Sequence, residues 1–143
     1  MQAITAKHNV TIEIIDAITK EVIDVRRTHN LLTSNGLNWL VALIAGSETR
    51  PTNINLGTGL TDPAATDIAL ETQVYTGEID RRLLDDAKVT HRIFVPSGSA
   101  NGNTLSEEGL FRGSWLIARA KIHPAIVKTV AVELTIAHEI TVS

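Results

Sequence analysis

The residues able to do chemistry here are few and scattered. Glu107 and Glu108 stand side by side, and paired carboxylates are the equipment of general acid/base catalysis. Glycoside hydrolysis needs its two carboxyls ~5–9.5 Å apart across one substrate. Neighbouring side chains on an extended chain point to opposite faces. The pair is therefore expected to split, one carboxylate in solvent and the other bonded to nearby backbone N–H groups. Asp85 and Asp86 read as turn chemistry. The five histidines, His8, His29, His91, His123 and His138, form no HxH, HxxxH or HExxH spacing, and no cysteine supplements them, so no metal site is expected. His138 takes an inward slot between Ile136 and Ile140 and is expected to be a hydrogen-bonded buried or interface histidine, the sharper reading being a pH-sensitive contact. Gly57-Thr58-Gly59 lacks the later glycine of a dinucleotide fingerprint and the Gly-Lys-Ser/Thr of a P-loop, and reads as a turn. Ser97, Ser99, Ser106 and Ser114 lie in loops, outside any Gly-x-Ser-x-Gly elbow. No catalytic, cofactor-binding or metal-binding residue is assigned, no cofactor is expected, and the chain is expected not to be an enzyme.

Composition narrows the classes further. The 143 residues suit one domain, 1–143, large enough to fold without staples. With no cysteine there is no disulfide framework or thiol nucleophile. A net charge of −3 argues against non-specific nucleic-acid binding. No apolar h-region opens the chain, so no signal peptide is expected, and the longest apolar run, Leu40 to Ala45, is too short to span a bilayer. The five aromatic rings are Trp39, Trp115, Tyr75, Phe94 and Phe111. Sugar and single-stranded nucleic-acid sites stack ligands on exposed rings, and few rings remain here once a core is built.

The elements that must position these residues are mostly strands. From Thr129 to Val142 apolar residues fall on even positions, the period of a strand with one buried face. It is long enough to cross a small sheet and pair on both sides. Val10–Ile15 alternates likewise, and Glu21–Arg27 follows with Ile23 and Val25 inward. Together they predict an N-terminal hairpin over 1–28, either the domain's first hairpin or an exchanged arm. Ser34 or Asn35 caps a helix over about 35–45, with Leu37, Leu40, Val41 and Ile44 at helical spacing, Trp39 at the margin and Gly46 as the stop. Asn53–Leu56 is a short strand, Gly57–Asp67 a turn-rich loop, and 68–74 is ambiguous. Tyr75–Leu84 reads as one strand, with Lys88–Val95 as its partner and Val89, His91, Ile93 and Val95 on one face. Pro96–Asn103 has the composition of a mobile loop or turn. Leu105–Phe111 and Trp115–Lys121 are strands, the second broken by His123-Pro124. The fold class expected is mainly β, an antiparallel β-sandwich of about eight strands with one short α-helix, forming a body without a reactive pocket.

Three segments carry a resemblance: His29-Asn30-Leu31-Leu32 leading to Asn35-Gly36-Leu37-Asn38; Asn53-Ile54-Asn55-Leu56-Gly57-Thr58-Gly59 through Pro63–Asp67 to Leu70-Glu71-Thr72; and Ser99 to Phe111, ending Glu108-Gly109-Leu110-Phe111. In that order and spacing the chain, from about His29 onward, resembles small tailed-bacteriophage virion proteins of the tail-fibre, collar and baseplate-associated type. The match departs from the family pattern at Glu107, where a variable residue usually stands, and the long repetitive shaft of a full fibre is missing. The resemblance implies a structural adaptor or fibre-anchoring subunit of the tail, at the baseplate, tail tip or collar. It implies localisation in the virion after assembly in the host cytoplasm. The implied partners are other phage tail proteins and further copies of the chain, a homo-oligomer, trimer or hexamer by the tail's symmetry, with no nucleic acid and no membrane. The alternative is a carbohydrate-binding receptor-recognition module for a host-surface glycan, which requires an exposed cluster of Trp115, Tyr75 or Trp39. A small hydrolase using Glu107 or Glu108 ranks last.

Overall fold

The computed structural model describes residues 5–143. Among these residues the chain forms β1 (Ala6–Asp16), β2 (Val22–Leu32), α1 (Ser34–Ile44), β3 (Asn53–Gly57), β4 (Gln73–Glu78), β5 (Arg81–Asp85), β6 (Lys88–Val95), β7 (Asn103–Arg112), β8 (Trp115–Lys128) and β9 (Val132–Val142). The nine strands make one antiparallel sheet in the order β4-β3-β7-β8-β2-β1-β9-β6-β5, curled into a half-barrel. The mainly β class and the single short helix agree with the sequence reading. In place of two separate sheets of about eight strands there is one continuous sheet, its halves joined where Leu31 and Leu32 of β2 pair with Arg119 and Ala118 of β8.

β9 lies at the middle of one half, paired with β1 on one side and β6 on the other. Its even residues Leu134, Ile136 and His138 are buried, as their period requires. Ordered strand begins only at Val132, and Val130 is exposed. Cross-strand partners form rows on the concave face: Ile14, Leu134 and Val95; then Ile12, Ile136 and Ile93; then Val10, His138, His91 and Arg82. Ile12, Ile93 and Ile136 are all fully buried, each contributing about 1.5–3 kcal/mol by removal from water. Ile54, Leu110, Ala118, Ala120 and Ile122 close the core from the β3-β7-β8 half.

The hairpin forms, but Ile23 and Val25 do not point inward. Val25 pairs with Glu13 on the convex side, and Ile23 falls at a register shift beside Ile14 and Ile15, leaving it exposed. β2 presents Arg26, Thr28, Asn30 and Leu32 to the concave side, because β1 fixes that parity through Ile12, Val10 and His8. The strand expected over Tyr75–Leu84 is two strands on opposite edges of the sheet. At Ile79-Asp80 the backbone leaves β4, donates from Ile79 N–H to Thr52 O (3.0 Å) and from Asp80 N–H to Arg92 O (3.0 Å), and enters β5. β8 is not broken at His123-Pro124. Pairing with β7 skips from Lys121 to Ile126 across a bulge, a place where proline's missing N–H costs no ladder bond.

The helix is set by Thr33, the residue before the two expected caps. Its Oγ1 accepts from Gly36 N–H (2.9 Å) and donates to the carbonyls of Leu116 and Ile117, fastening the helix start to β8. Gly36 is required there, since a Cβ would collide with the Ile117 carbonyl. Gly46, at φ +80°, ends the helix as expected, with Gly46 N–H on Leu43 O and Ser47 N–H on Ala42 O. The buried face differs from expectation. Gly36 and Trp39 face the sheet, and Trp39 is 4% exposed with its Nε1–H on Thr49 O (2.8 Å). The close approach at Gly36 turns Leu37, Val41 and Ile44 outward. The 96–103 loop is pinned by the buried Lys128, whose Nζ donates to Asn101 Oδ1 (2.8 Å), Thr129 O (2.9 Å) and Ser97 O (3.2 Å).

Candidate ligand cavity and the buried polar clusters

Two polar clusters flank β7, one on each face. A register shift between Leu105 and Glu107 lets Leu105, Glu108 and Leu110 face the core while Ser106 and Glu107 face the loop between β3 and β4. Both glutamates are fully buried. Glu107 Oε2 accepts from Gly59 N–H (2.8 Å) and Thr72 N–H (2.8 Å), and Oε1 accepts from Glu71 N–H (2.9 Å) and Arg119 Nε–H (3.1 Å). Burial pushes this carboxyl up, but the three N–H groups and the guanidinium bring it below its ordinary value. Arg119 also donates to Asp67 Oδ2 (2.9 Å) and Thr61 O (2.9 Å). Ser106 Oγ donates to Gly59 O (2.6 Å). A Cβ on Gly59 would collide with the Glu107 carboxylate. Gly57-Thr58-Gly59 is thus a turn clamped by a carboxylate, and the Glu107 half of the sequence expectation holds.

Glu108 is not in solvent. Its Oε2 accepts from His138 Nδ1 (3.0 Å), and Oε1 accepts from Asn30 Nδ2 (3.2 Å). His138 Nε2 and His8 Nδ1 are hydrogen-bonded at 2.9 Å, the two rings meeting edge to face. His138 is therefore the hydrogen-bonded buried histidine expected. His91 stands directly across from it on β6. His8 and His91 are 5% and 3% exposed. Burial first, then the neighbouring His138, lowers His8 to about 3 and His91 to about 4, His91 and Arg82 respectively adding to the effect. Both rings are neutral at ordinary pH.

Sequence spacing gave no sign that His8, His91 and His138 would meet. The signal was parity: each lies on the inward set of its own strand, and antiparallel register brings the three strands together. Even so, the described residues hold no group of three or more ligating side chains placed to bind a metal ion. His29, whose Nδ1 lies 2.6 Å from Asn9 Oδ1, and His123 stand apart from the cluster.

Beyond the histidine row the half-barrel opens into a cavity of about 310 Å³ between α1 and strands β1, β6 and β9. Leu40, Leu43 and Trp39 form one wall, Val89, Ile140 and Val142 the other, with His8 and His91 at the row's end and Arg50 and Arg82 bordering it. The sequence reading expected a body without a reactive pocket; the cavity found is lined mainly by aliphatic side chains, with ionisable groups at its border. The fold closes its concave face with aliphatic rows only as far as Val10, and β1, β6 and β9 continue past them. The rings needed for glycan stacking are engaged within the protein. Trp39 is buried, while Trp115 and Tyr75 are half-buried against the core, with Trp115 Nε1–H on Asn35 O (2.8 Å).

Comparison with protein-family models, curated proteins and solved structures gives no match.

Proposed function

We propose that this chain is a structural subunit of a tailed-bacteriophage virion, an adaptor or fibre-anchoring component of the tail that acts through protein–protein assembly. In this reading the two halves of the curled sheet serve as the two layers of a sandwich-like building block. One observation carries the assembly part of the reading. Leu37, Val41 and Ile44, at i, i+4 and i+7 along α1, are 53%, 68% and 80% exposed. An aliphatic stripe at helical spacing normally faces a core, and a contiguous exposed one marks an interaction surface. The sequence resemblance supplies the virion part, and two of its segments, Gly57–Thr72 and Glu107–Phe111, supply the clamp that holds the loop over β7. The engaged rings favour assembly over glycan binding.

The occupant of the stripe is a second copy of the chain, in a ring of three- or six-fold symmetry. Sedimentation of the wild type is expected to show a concentration-dependent oligomer, and Val41→Asp with Ile44→Asp a folded monomer. Mass spectrometry of purified particles is expected to find the chain in the tail. A wild type that stays monomeric at all concentrations and is absent from particles overturns the proposal.

A further inference from the structure

We propose that the cavity between α1 and the ends of β1, β6 and β9 binds a small aliphatic monocarboxylate, its carboxylate at Arg82 and Arg50 and its tail among Leu40, Leu43, Val89 and Ile140. Three observations converge on this occupant. First, the walls are aliphatic and the space is about 310 Å³, within the ~300–1,000 Å³ of small-molecule sites. A water-sized group takes about 30 Å³, so roughly ten such groups fill the space, the size of a medium-length fatty acid.

Second, the two arginines bordering the cavity have no acidic partner. Arg50 and Arg82 form no ion pair among the described residues, and no acidic residue lines the cavity. Arg82 is held below its ordinary value by burial and then by the charge of Arg50. Two like charges beside an apolar space are relieved by a bound anion.

Third, polar atoms at this end lack partners. Arg82 Nη2 donates to Pro51 O (2.7 Å), but Arg82 Nε and Nδ1 of the directly paired His91 are buried with no hydrogen-bond partner among the described residues. Buried polar groups are nearly always satisfied; neither atom has open surface in this structure, and a carboxylate head group would give the Arg82 guanidinium a partner once that side chain turns toward the cavity. A planar guanidinium suits a carboxylate in geometry as well as charge.

The test is calorimetric and NMR titration of the full chain with octanoate, octan-1-ol and acetate. Octanoate is expected to bind at least about tenfold more tightly than either control, a difference of about 1.4 kcal/mol, and to shift the resonances of Val89, His91 and Ile140. Arg50→Gln, at an exposed position, is expected to weaken octanoate severalfold and leave octan-1-ol unchanged. Arg82→Gln is expected to weaken octanoate more. Val89→Trp, checked for folding by circular dichroism, is expected to fill the cavity and abolish binding. No octanoate binding by the wild type, equal binding of octan-1-ol, or an Arg50→Gln variant with undiminished affinity overturns the proposal. The oligomer test above is independent of each of these outcomes.

Discussion

Glu107 and Glu108 are adjacent, equally buried and chemically identical, yet they work in opposite surroundings. Glu107 faces four donors: three backbone N–H groups of the 58–72 loop and the Arg119 guanidinium. None of these can exchange roles. Glu108 faces an imidazole and a side-chain amide, whose donor and acceptor atoms can be redistributed by tautomer or by rotation of the amide. The first site is a fixed anion socket that shapes a loop. The second is an adaptable network within the core. The difference arises from one register shift in β7 and from which layer covers each face.

Substitutions at the two positions test that contrast directly. Glu107→Ala is expected to have the largest effect, about 3–5 kcal/mol of lost stability in urea denaturation, because it leaves a buried guanidinium and three N–H groups unpaired. It should also speed proteolysis within 58–72. A loss below about 1 kcal/mol would dissolve the distinction between the two sites. Glu107→Gln is expected to cost more than Glu108→Gln, since the amide NH₂ meets only donors at the first site. Each lies at about 1–3 kcal/mol, and a reversed order would show that the histidine network is the rigid one. Gly59→Ala follows at about 1–3 kcal/mol, from crowding against the Glu107 carboxylate. Paired with Glu107→Ala it should lose much of that effect, which a double-mutant cycle would detect.

Acid separates the two sites by pH window. His8 and His91 are neutral in the fold, with values of about 3 and about 4 against 6.5 unfolded. Between those values the unfolded chain holds more protons. Their contribution is therefore complete above 6.5 and declines as pH falls toward about 4 and then about 3, by up to about 1.4 kcal/mol per pH unit for each ring. Glu107, held below its ordinary 4.5, contributes above that value and declines only at lower pH. Denaturation midpoints between about pH 7 and about pH 5 should thus follow the histidines, and His91→Phe should flatten that slope. An unchanged slope would place the titrating groups elsewhere.

Much of this architecture was legible wherever alternation ran unbroken. β6 is read with its bounds, and β9 and β1 with the right parity, though β9 starts three residues later than expected and β1 runs longer at both ends, because their inward residues alternate through the strand. The split of Glu107 from Glu108 follows from the same rule, although the burial of Glu108 does not, since nothing local shows that a histidine waits across the sheet. The errors fall where tertiary contacts override local pattern. Of the expected apolar face of α1, Leu40 packs inward, but Leu37, Val41 and Ile44 face out, because the Thr33 and Gly36 contacts with β8 set the rotation of the helix. Tyr75–Leu84 keeps a strand-like composition through Ile79-Asp80, yet it serves both edges of the sheet. The histidine row and the cavity depend on register among strands far apart in sequence, which no spacing pattern records.

β1 and β9 are neighbours in the middle of the sheet, and Thr5 and Ser143 exchange backbone hydrogen bonds at 2.7 and 2.9 Å. During synthesis the first hairpin therefore leaves the ribosome long before the strand that covers its flank exists. At ~5–20 residues per second the wait from the end of β2 to the end of β9 is roughly 5–22 s, during which Val10, Ile12 and Ile14 have no native partner from β9. Nascent chains stalled before residue 132 should accordingly bind chaperones or aggregate, and release of the full-length chain should end that exposure.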